Sequence, residues 1–258
     1  MSQVSLRFYE ELNDFLPGSL RKRAFEKSFT PTQSIKHLIE NLGVPHTEVE
    51  IILVNGRSVD LNHQLQEGDR ISVYPMFESL DVTPLLRLRP GPLRTPRFIA
   101  DAHLGKLARH LRLLGFDTLF FNQAGDRDLA ALSAGERRIL LTRDRALLMH
   151  RVITHGCFIH AIEPQLQLRE LIQRLDLQRQ CKPFTRCMAC NGRLQTAGKN
   201  RIEEELPNRV RQTYNEFWRC SDCGRIYWKG GHYRQLRDFI SNVTRPELAG
   251  SGLTQSEV

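Results

Sequence analysis

Long apolar runs are missing from this sequence of 258 residues. None approaches the roughly 18 consecutive apolar residues that mark a membrane-crossing helix. The opening Met1-Ser2-Gln3-Val4 lacks the basic-then-apolar pattern of a secretion signal. The expectation is a cytoplasmic protein without a membrane partner. Cysteine is scarce as well, with six in all, and in such a compartment Cys157 and Cys181 are expected to be reduced thiols rather than a bridge. A hydrophobic share of 40% and a charged share of 26% are those of a globular protein, and the length leaves room for about two domains.

The other four cysteines are not scattered. Cys187-Met188-Ala189-Cys190 and Cys220-Ser221-Asp222-Cys223 are two CxxC pairs separated by 29 residues. Thiolates two residues apart on a turn face one ion from the same side, and two such knuckles make the sulfur tetrahedron that structural zinc favours. Asn191-Gly192 and Gly224 supply turn residues directly after each pair. Disulfides or a redox CxxC are the competing readings of the same spacing.

Charge is also unevenly placed. Residues 1–91 hold ten Lys/Arg and twelve Asp/Glu, net −2, which leaves 27 and 17, net +10, for residues 92–258. A polyanion partner, nucleic acid first, is the functional reading of that basic half, and solubility the plain one. Near the cysteines, arginines and lysines alternate with Tyr214, Phe217, Trp218, Tyr227 and Trp228. Cations that hold phosphates beside rings that stack bases suit unpaired RNA. Phe217 and Tyr227 are expected in a small ribbon core, with Trp228 and Tyr233 freer to touch RNA. Four thiolates already complete a metal site, so His232 is expected at RNA or in a structural hydrogen bond.

Residues 82–96 contain Pro84, Pro90, Pro92 and Pro96 with Gly91 and little apolar periodicity, and read as a linker between the two charge regimes. Before it, Val4-Ser5-Leu6-Arg7-Phe8 alternates like a half-buried strand, residues 23–29 read as a second, and Ile35, Leu38, Ile39 and Leu42 share a helical face that Gly43 ends. Residues 50–54 and 70–74 read as two more strands, with a tight turn at Asn55-Gly56. The order ββαββ over residues 1–81 is that of a small β-grasp domain. With Phe8-Tyr9-Glu10-Glu11-Leu12, the segment resembles the ubiquitin-like domains related to bacterial sulfur carriers. Those carriers act through a terminal Gly-Gly. Here the last strand continues through Tyr74-Pro75-Met76 into more protein, which excludes carrier chemistry and leaves docking to a protein partner or regulation.

After the linker the pattern becomes strand-helix. Arg97-Phe98-Ile99-Ala100 is a short apolar strand ending at Asp101, and 138–142 is another leading to Arg143-Asp144. Two aspartates at the carboxyl ends of parallel strands lie where ligands bind in open α/β sheets. Asp126 or Asp128, at a helix start, can complete an oxygen cluster for Mg²⁺ or Mn²⁺, or can simply cap that helix. Lys106, Arg109 and Arg112 form a basic strip on the helix after Asp101. Residues 101–115, the run Thr142-Arg143-Asp144-Arg145 and the ending Cys223-Gly224-Arg225-Ile226-Tyr227-Trp228 resemble the Mut-seven C-terminal RNase domain, a branch of the PIN-like nucleases.

That resemblance implies an α/β fold in which a PIN-like parallel sheet (97–180) carries a zinc ribbon (181–240), with residues 241–258 as a disordered tail. It implies a metal-dependent endoribonuclease. Asp101, Asp126, Asp128 and Asp144 would be the catalytic acids. The basic helix, the residue before Asp144 and the charged, aromatic ribbon, read on their own residues, offer Lys106, Arg109, Arg143, Trp228 and His232 as substrate contacts. Cys187, Cys190, Cys220 and Cys223 would hold zinc. Many relatives carry a further acid two residues after the motif's aspartate, where this chain has Ala146. The rival reading is therefore a non-catalytic adaptor for ribosomal or transfer RNA with a relic acidic site.

Overall fold

The alternation Val4, Leu6, Phe8 puts three apolar side chains on one face of the first strand, and all three are fully buried. The computed structural model describes residues 2–75, 87–88 and 95–245; most of the expected linker therefore lies outside the described residues. Strands β1 (Ser2–Phe8), β2 (Phe25–Phe29), β3 (Val49–Val54), β4 (Arg57–Val59) and β5 (Arg70–Pro75) form a sheet of order β2-β1-β5-β3-β4, with β1 and β5 parallel. Helix α1 (Ile35–Asn41) is capped by Ser34, whose hydroxyl accepts from the His37 N–H, and buries Ile35, Leu38 and Ile39 against that sheet. Asn55 and Gly56 both take positive φ, 50° and 81°, the tight-turn geometry that closes the β3–β4 hairpin. The β4 strand is the one the sequence did not announce. Its Arg57-Ser58-Val59 lies on a sheet edge with too few apolar residues to form a pattern.

The second sheet is parallel throughout, in the order β7-β6-β8-β9. Its strands are β6 (Phe98–Ala100), β7 (Thr118–Phe120), β8 (Ile139–Thr142) and β9 (Gly156–Phe158). Side chains alternate across it. Phe98, Ala100 and Leu141 face the layer of α2 (Gly105–Leu113), α5 (Pro164–Arg174) and α8 (Gly231–Thr244). Ile99 and Leu140 face α3 (Asp126–Glu136) and α4 (Arg145–Leu148). The expected tail does not begin at residue 241. Helix α8 runs through Thr244, and Val243 is only 3% exposed in the main core. Residues 246–258 lie outside the described residues.

Between α5 and α8 comes a three-stranded antiparallel sheet of β10 (Leu194–Ala197), β11 (Phe217–Cys220) and β12 (Ile226–Trp228). The excursion between the cysteine pairs is only partly β, since α6 (Lys199–Ile202) and α7 (Asn208–Thr213) fold into it around Ile202, Leu206 and Phe217. Glu203 and Glu205 pair there with Arg211 and Arg219.

The β-grasp domain docks on the parallel-sheet domain. The Glu48 carboxylate is almost wholly buried and accepts from the Phe158 N–H at the β9 edge and from the Arg174 guanidinium. His46 lies between the Glu40 carboxylate at 2.7 Å and the Ile153 carbonyl at 3.0 Å. The rings of Phe15 and Phe158 meet edge to face at 5.5 Å, and the Arg145 guanidinium lies 5.1 Å and 5.5 Å from their centroids. Among the described residues no helix is long and apolar enough to cross a membrane. Cys157 and Cys181 are free thiols; burial pushes the first far above its ordinary range and the second up to about 11.

Candidate functional site

From β6 the chain moves to β7 on one side and then crosses to β8 on the other, so the topological switch point lies between β6 and β8. Asp101 and Asp144 flank it. Asp101 follows β6 directly: Oδ1 accepts from the Ala102 N–H at 2.6 Å, and Oδ2 accepts from the Thr142 hydroxyl at 2.7 Å. Asp144 follows β8 and caps α4, with Oδ1 accepting from the N–H groups of Ala146 at 2.7 Å and Leu147 at 3.3 Å. The Asp144 N–H in turn donates to Thr142 Oγ1 at 3.0 Å. Fully buried Thr142 thus connects the two acids, a role with no sequence signal beyond its place before Arg143.

Asp126 and Asp128 stand in the first turn of α3, both exposed. Neither is its cap; that position is Gly125, and the two carboxylates suit the positive end of the helix dipole instead. The expected cluster does not form as a gathered set. Among the described residues only the four cysteines bring three or more ligand atoms within 4.8 Å of one another. Arg143 is exposed and donates to the Ala161 carbonyl at 2.7 Å.

Beside this edge opens a groove of about 1020 Å³, lined by Lys106, Arg109, Phe120, Phe121, Arg225 and Tyr227 among others. Lys106 and Arg109 are exposed as expected, but Arg112 is not part of a surface strip. It is 4% exposed and donates inward, to the carbonyls of Thr118 at 2.8 Å and Ala189 at 2.8 Å. The groove needs Gly105: a Cβ there would lie 2.7 Å from the Phe120 ring.

The knuckles repeat one geometry. In each, the residue after the second cysteine takes a left-handed conformation (Asn191 φ 77°, Gly224 φ 72°) and its N–H returns to the first cysteine's carbonyl, at 2.9 Å and 3.2 Å. Cys187 and Cys223 sulfurs lie 3.7 Å apart, Cys190 and Cys220 sulfurs 3.3 Å, and all four fall within 4.8 Å. Zn–S bonds of about 2.3 Å in a tetrahedron require sulfur separations of about 3.8 Å, so the four donors fit such an ion. Burial acts to raise the Cys187 thiol, but hydrogen bonds from the Tyr227 hydroxyl, 3.0 Å away, and from the knuckle backbone reverse that and lower it to about 6. Burial pushes Cys190 up to about 12. Phe217 is buried in the ribbon core, while Tyr227 is half-buried against Cys187.

The first knuckle is fastened to the parallel sheet. Asn191 donates to Asp117 Oδ1 at 2.8 Å and accepts from the Thr118 N–H at 2.9 Å. Asp117 also pairs with Arg138 at 2.8 Å and Arg186 at 3.3 Å. Burial alone would raise its carboxyl, and the hydrogen bonds from Arg138 and Asn191 more than reverse this, holding it below the usual range. Sequence reasoning missed Asp117, Arg138 and this use of Asn191, because partners 21 and 74 positions apart leave no local pattern. Trp228 and His232 are not in the basic groove; they line a neighbouring pocket, where exposed His232 contacts Gln235 at 3.3 Å. Trp228, expected free for RNA, is partly buried against the ribbon core beside Phe217.

The family model of the Mut7-C RNAse domain matches residues 96–240, and that of the Mut7-C ubiquitin domain matches residues 1–81. No curated protein matches. Two crystal structures of small archaeal modifier protein 1 from Haloferax volcanii are similar at 13% identity and a TM-score of 0.24. One spans 29% of this chain and 98% of its own, the other 30% and 99%. With its RNase-family match covering more than half of its length, preceded by the family's ubiquitin-like domain, the chain belongs to the Mut7-C RNAse domain family.

Proposed function

We propose that this protein is a metal-dependent ribonuclease that cuts RNA phosphodiester bonds at the β6–β8 edge. The observation that carries the reading is the pair Asp101 and Asp144, connected through Thr142 at the switch point beside a groove bearing Lys106, Arg109 and Arg225. Mg²⁺ and Mn²⁺ are commonly held by one or two carboxylates with waters and substrate phosphate oxygens completing the shell, which suits two acids on one edge better than a closed cage. A bound ion would supply charge neutralisation and water activation. Asp101 and Asp144 would hold it, and Asp126 and Asp128, in the first turn of α3, would join once RNA is bound. Lys106 and Arg109 orient the phosphate by charge, and Arg143 lies beside Asp144 to do the same. The four cysteines hold structural zinc, and the ribbon helps to grip RNA. Free, unbridged Cys157 and Cys181 suit the reducing cytoplasm. The β-grasp domain, with no free Gly-Gly end, acts as a protein-docking or regulatory module.

The test is incubation of the protein with single-stranded and structured RNAs in Mn²⁺. Cleavage that persists in both Asp101→Asn and Asp144→Asn would overturn the assignment. A second reading, a non-catalytic RNA-binding adaptor, is favoured by the ungathered carboxylates and by Ala146, and salt-sensitive RNA binding without any metal-dependent cleavage would select it.

A further inference from the structure

Both tryptophans of the chain, Trp218 and Trp228, line one apolar pocket of about 570 Å³. Its walls are β11 and β12 of the ribbon, the segment 183–186 and the first turn of α8, which add Phe184, Tyr227 and Tyr233. Strand alternation explains two of the rings. Phe217 points into the ribbon core, so Trp218 and its cross-strand partner Tyr227 point the other way. Phe184 is held at φ 61°, an unfavourable conformation for a non-glycine residue, and its ring lies 4.8 Å from that of Tyr233.

The pocket is not built for a phosphate. Arg186 is committed to Asp117 and to the Asn191 carbonyl, and Lys229 is paired with Glu216 while lying 5.4 Å from the Trp218 ring. What it offers is flat aromatic surface. Yet it adjoins the place where phosphates are favoured, because Met188 and Tyr227 line both this pocket and the basic groove. A chain of alternating phosphates and bases matches that pairing of a charged channel with an aromatic recess. The net +10 of residues 92–258 makes a polyanion the complementary partner.

We propose that this aromatic pocket receives an unpaired nucleobase of an RNA strand whose phosphates lie along Lys106, Arg109 and Arg225. The inference rests on the reading of the groove as an RNA site and narrows its substrate class. A base inside a duplex stays stacked on its neighbours and cannot enter, so the RNA has a single-stranded nucleotide at this point.

Trp218, on the same face as Tyr227, makes the pocket self-reporting, whereas Trp228, opposite Phe217, also packs against the ribbon core. Full-length protein, without added divalent cation so that nothing is cut, is titrated with single-stranded hexa-adenylate, a blunt RNA duplex, and a hexamer of abasic ribose phosphates. Hexa-adenylate is expected to quench tryptophan emission along its binding curve. The duplex is expected to bind without quenching, and the abasic strand to bind roughly 5- to 150-fold more weakly than hexa-adenylate, the value of one stacked base. Tyr233→Ala should weaken hexa-adenylate binding and spare the duplex. Trp218→Leu should do the same, and a thermal melt identifies either variant if it fails to fold.

Hexa-adenylate binding that leaves the emission unchanged and is no tighter than that of the abasic strand overturns the pocket and leaves the groove standing. Absence of binding by all three RNAs overturns the pocket and the RNA reading together. Loss of all binding in the pair Lys106→Glu and Arg109→Glu, with hexa-adenylate quenching in the parent protein, supports both.

Discussion

Replacing Glu48 by alanine should undock the β-grasp domain without unfolding it. Glu48 ends a 3-10 turn outside the β1–β5 core, and its carboxylate has one oxygen on the Phe158 N–H and the other on Arg174. Removing one member of a buried ion pair costs roughly 3–5 kcal/mol, and because Arg174 keeps Glu170 at 3.7 Å and Glu11 at 3.9 Å the lower end of that range is expected. At 1.4 kcal/mol per decade the full range is about a 100- to 4000-fold fall in the docked-to-undocked ratio. The Phe158 amide is the direct reporter, since its hydrogen-bond acceptor is the deleted carboxylate. Its hydrogen exchange measured by NMR should accelerate by a factor within that range, while amides of β1, β3 and β5 keep their protection. Replacing both partners, Glu48→Met with Arg174→Met, should cost less than Glu48→Ala alone, because no charge is then left buried. An acceleration at Phe158 below about 5-fold, or equal loss of protection throughout β1–β5, would refute the reasoning. The first result would mean that the contact contributes little, and the second that Glu48 supports the β-grasp fold itself.

Metal removal by a chelator should release both knuckles, and with them the Asn191 contact to β7 and the Arg112 contact to Ala189, so RNA affinity should fall while far-UV circular dichroism of the remainder persists; Cys187→Ser should reproduce this. Asp117 has a lowered folded pKa, so its contribution to stability is present above the unfolded value of about 4 and is lost as pH falls through the folded one. Denaturation midpoints should therefore drop more steeply below about pH 5 in the parent protein than in Asp117→Asn, which is less stable at neutral pH. Gly105→Ala places a methyl group 2.7 Å from the Phe120 ring. It should cost about 1–3 kcal/mol in urea denaturation and weaken RNA binding in the groove, and an unchanged midpoint would show that Phe120 moves freely.

Where burial and periodicity coincide in one segment, the sequence was legible. Val4-Leu6-Phe8, the α1 face and the apolar strands leading into Asp101 and Asp144 were all readable because the pattern that marks each lies within its own segment, although their strand partners are distant. The three-residue strands β4 and β9 were not. Gly156-Cys157-Phe158 forms the fourth parallel strand with too little length for a pattern, and its edge is completed by Glu48 from 110 positions away. Arg112 deceived for a related reason: its spacing with Lys106 and Arg109 reads as a surface strip. The carbonyls of Thr118 and of the first knuckle, which fold over it, are what draw the guanidinium inward.

These non-local contacts converge on one edge. On one side the β-grasp domain holds α4, the helix that Asp144 caps, through Phe15 against Arg145 and Thr47 against Leu148. On the other side the first cysteine knuckle holds β7 and α2, through Asn191 to Thr118 and Arg112 to Ala189. Asp101, Thr142 and Asp144 lie between the two braces, on the strands β6 and β8 that neither brace touches directly through these contacts. If the pair accepts a cation as proposed, it gains from such an arrangement, because like charges repel and the positions they take are set by what is packed behind them. Loosening either brace should therefore change the edge in different ways: loss of the Glu48 contact frees Asp144 with α4, whereas loss of the metal frees the Lys106 and Arg109 wall. Metal affinity at the edge should respond to the first and RNA affinity to the second. Isothermal titration with Mn²⁺ and with single-stranded RNA on Glu48→Ala and Cys187→Ser separates them, and identical losses in both titrations would mean that the edge is held as one rigid unit.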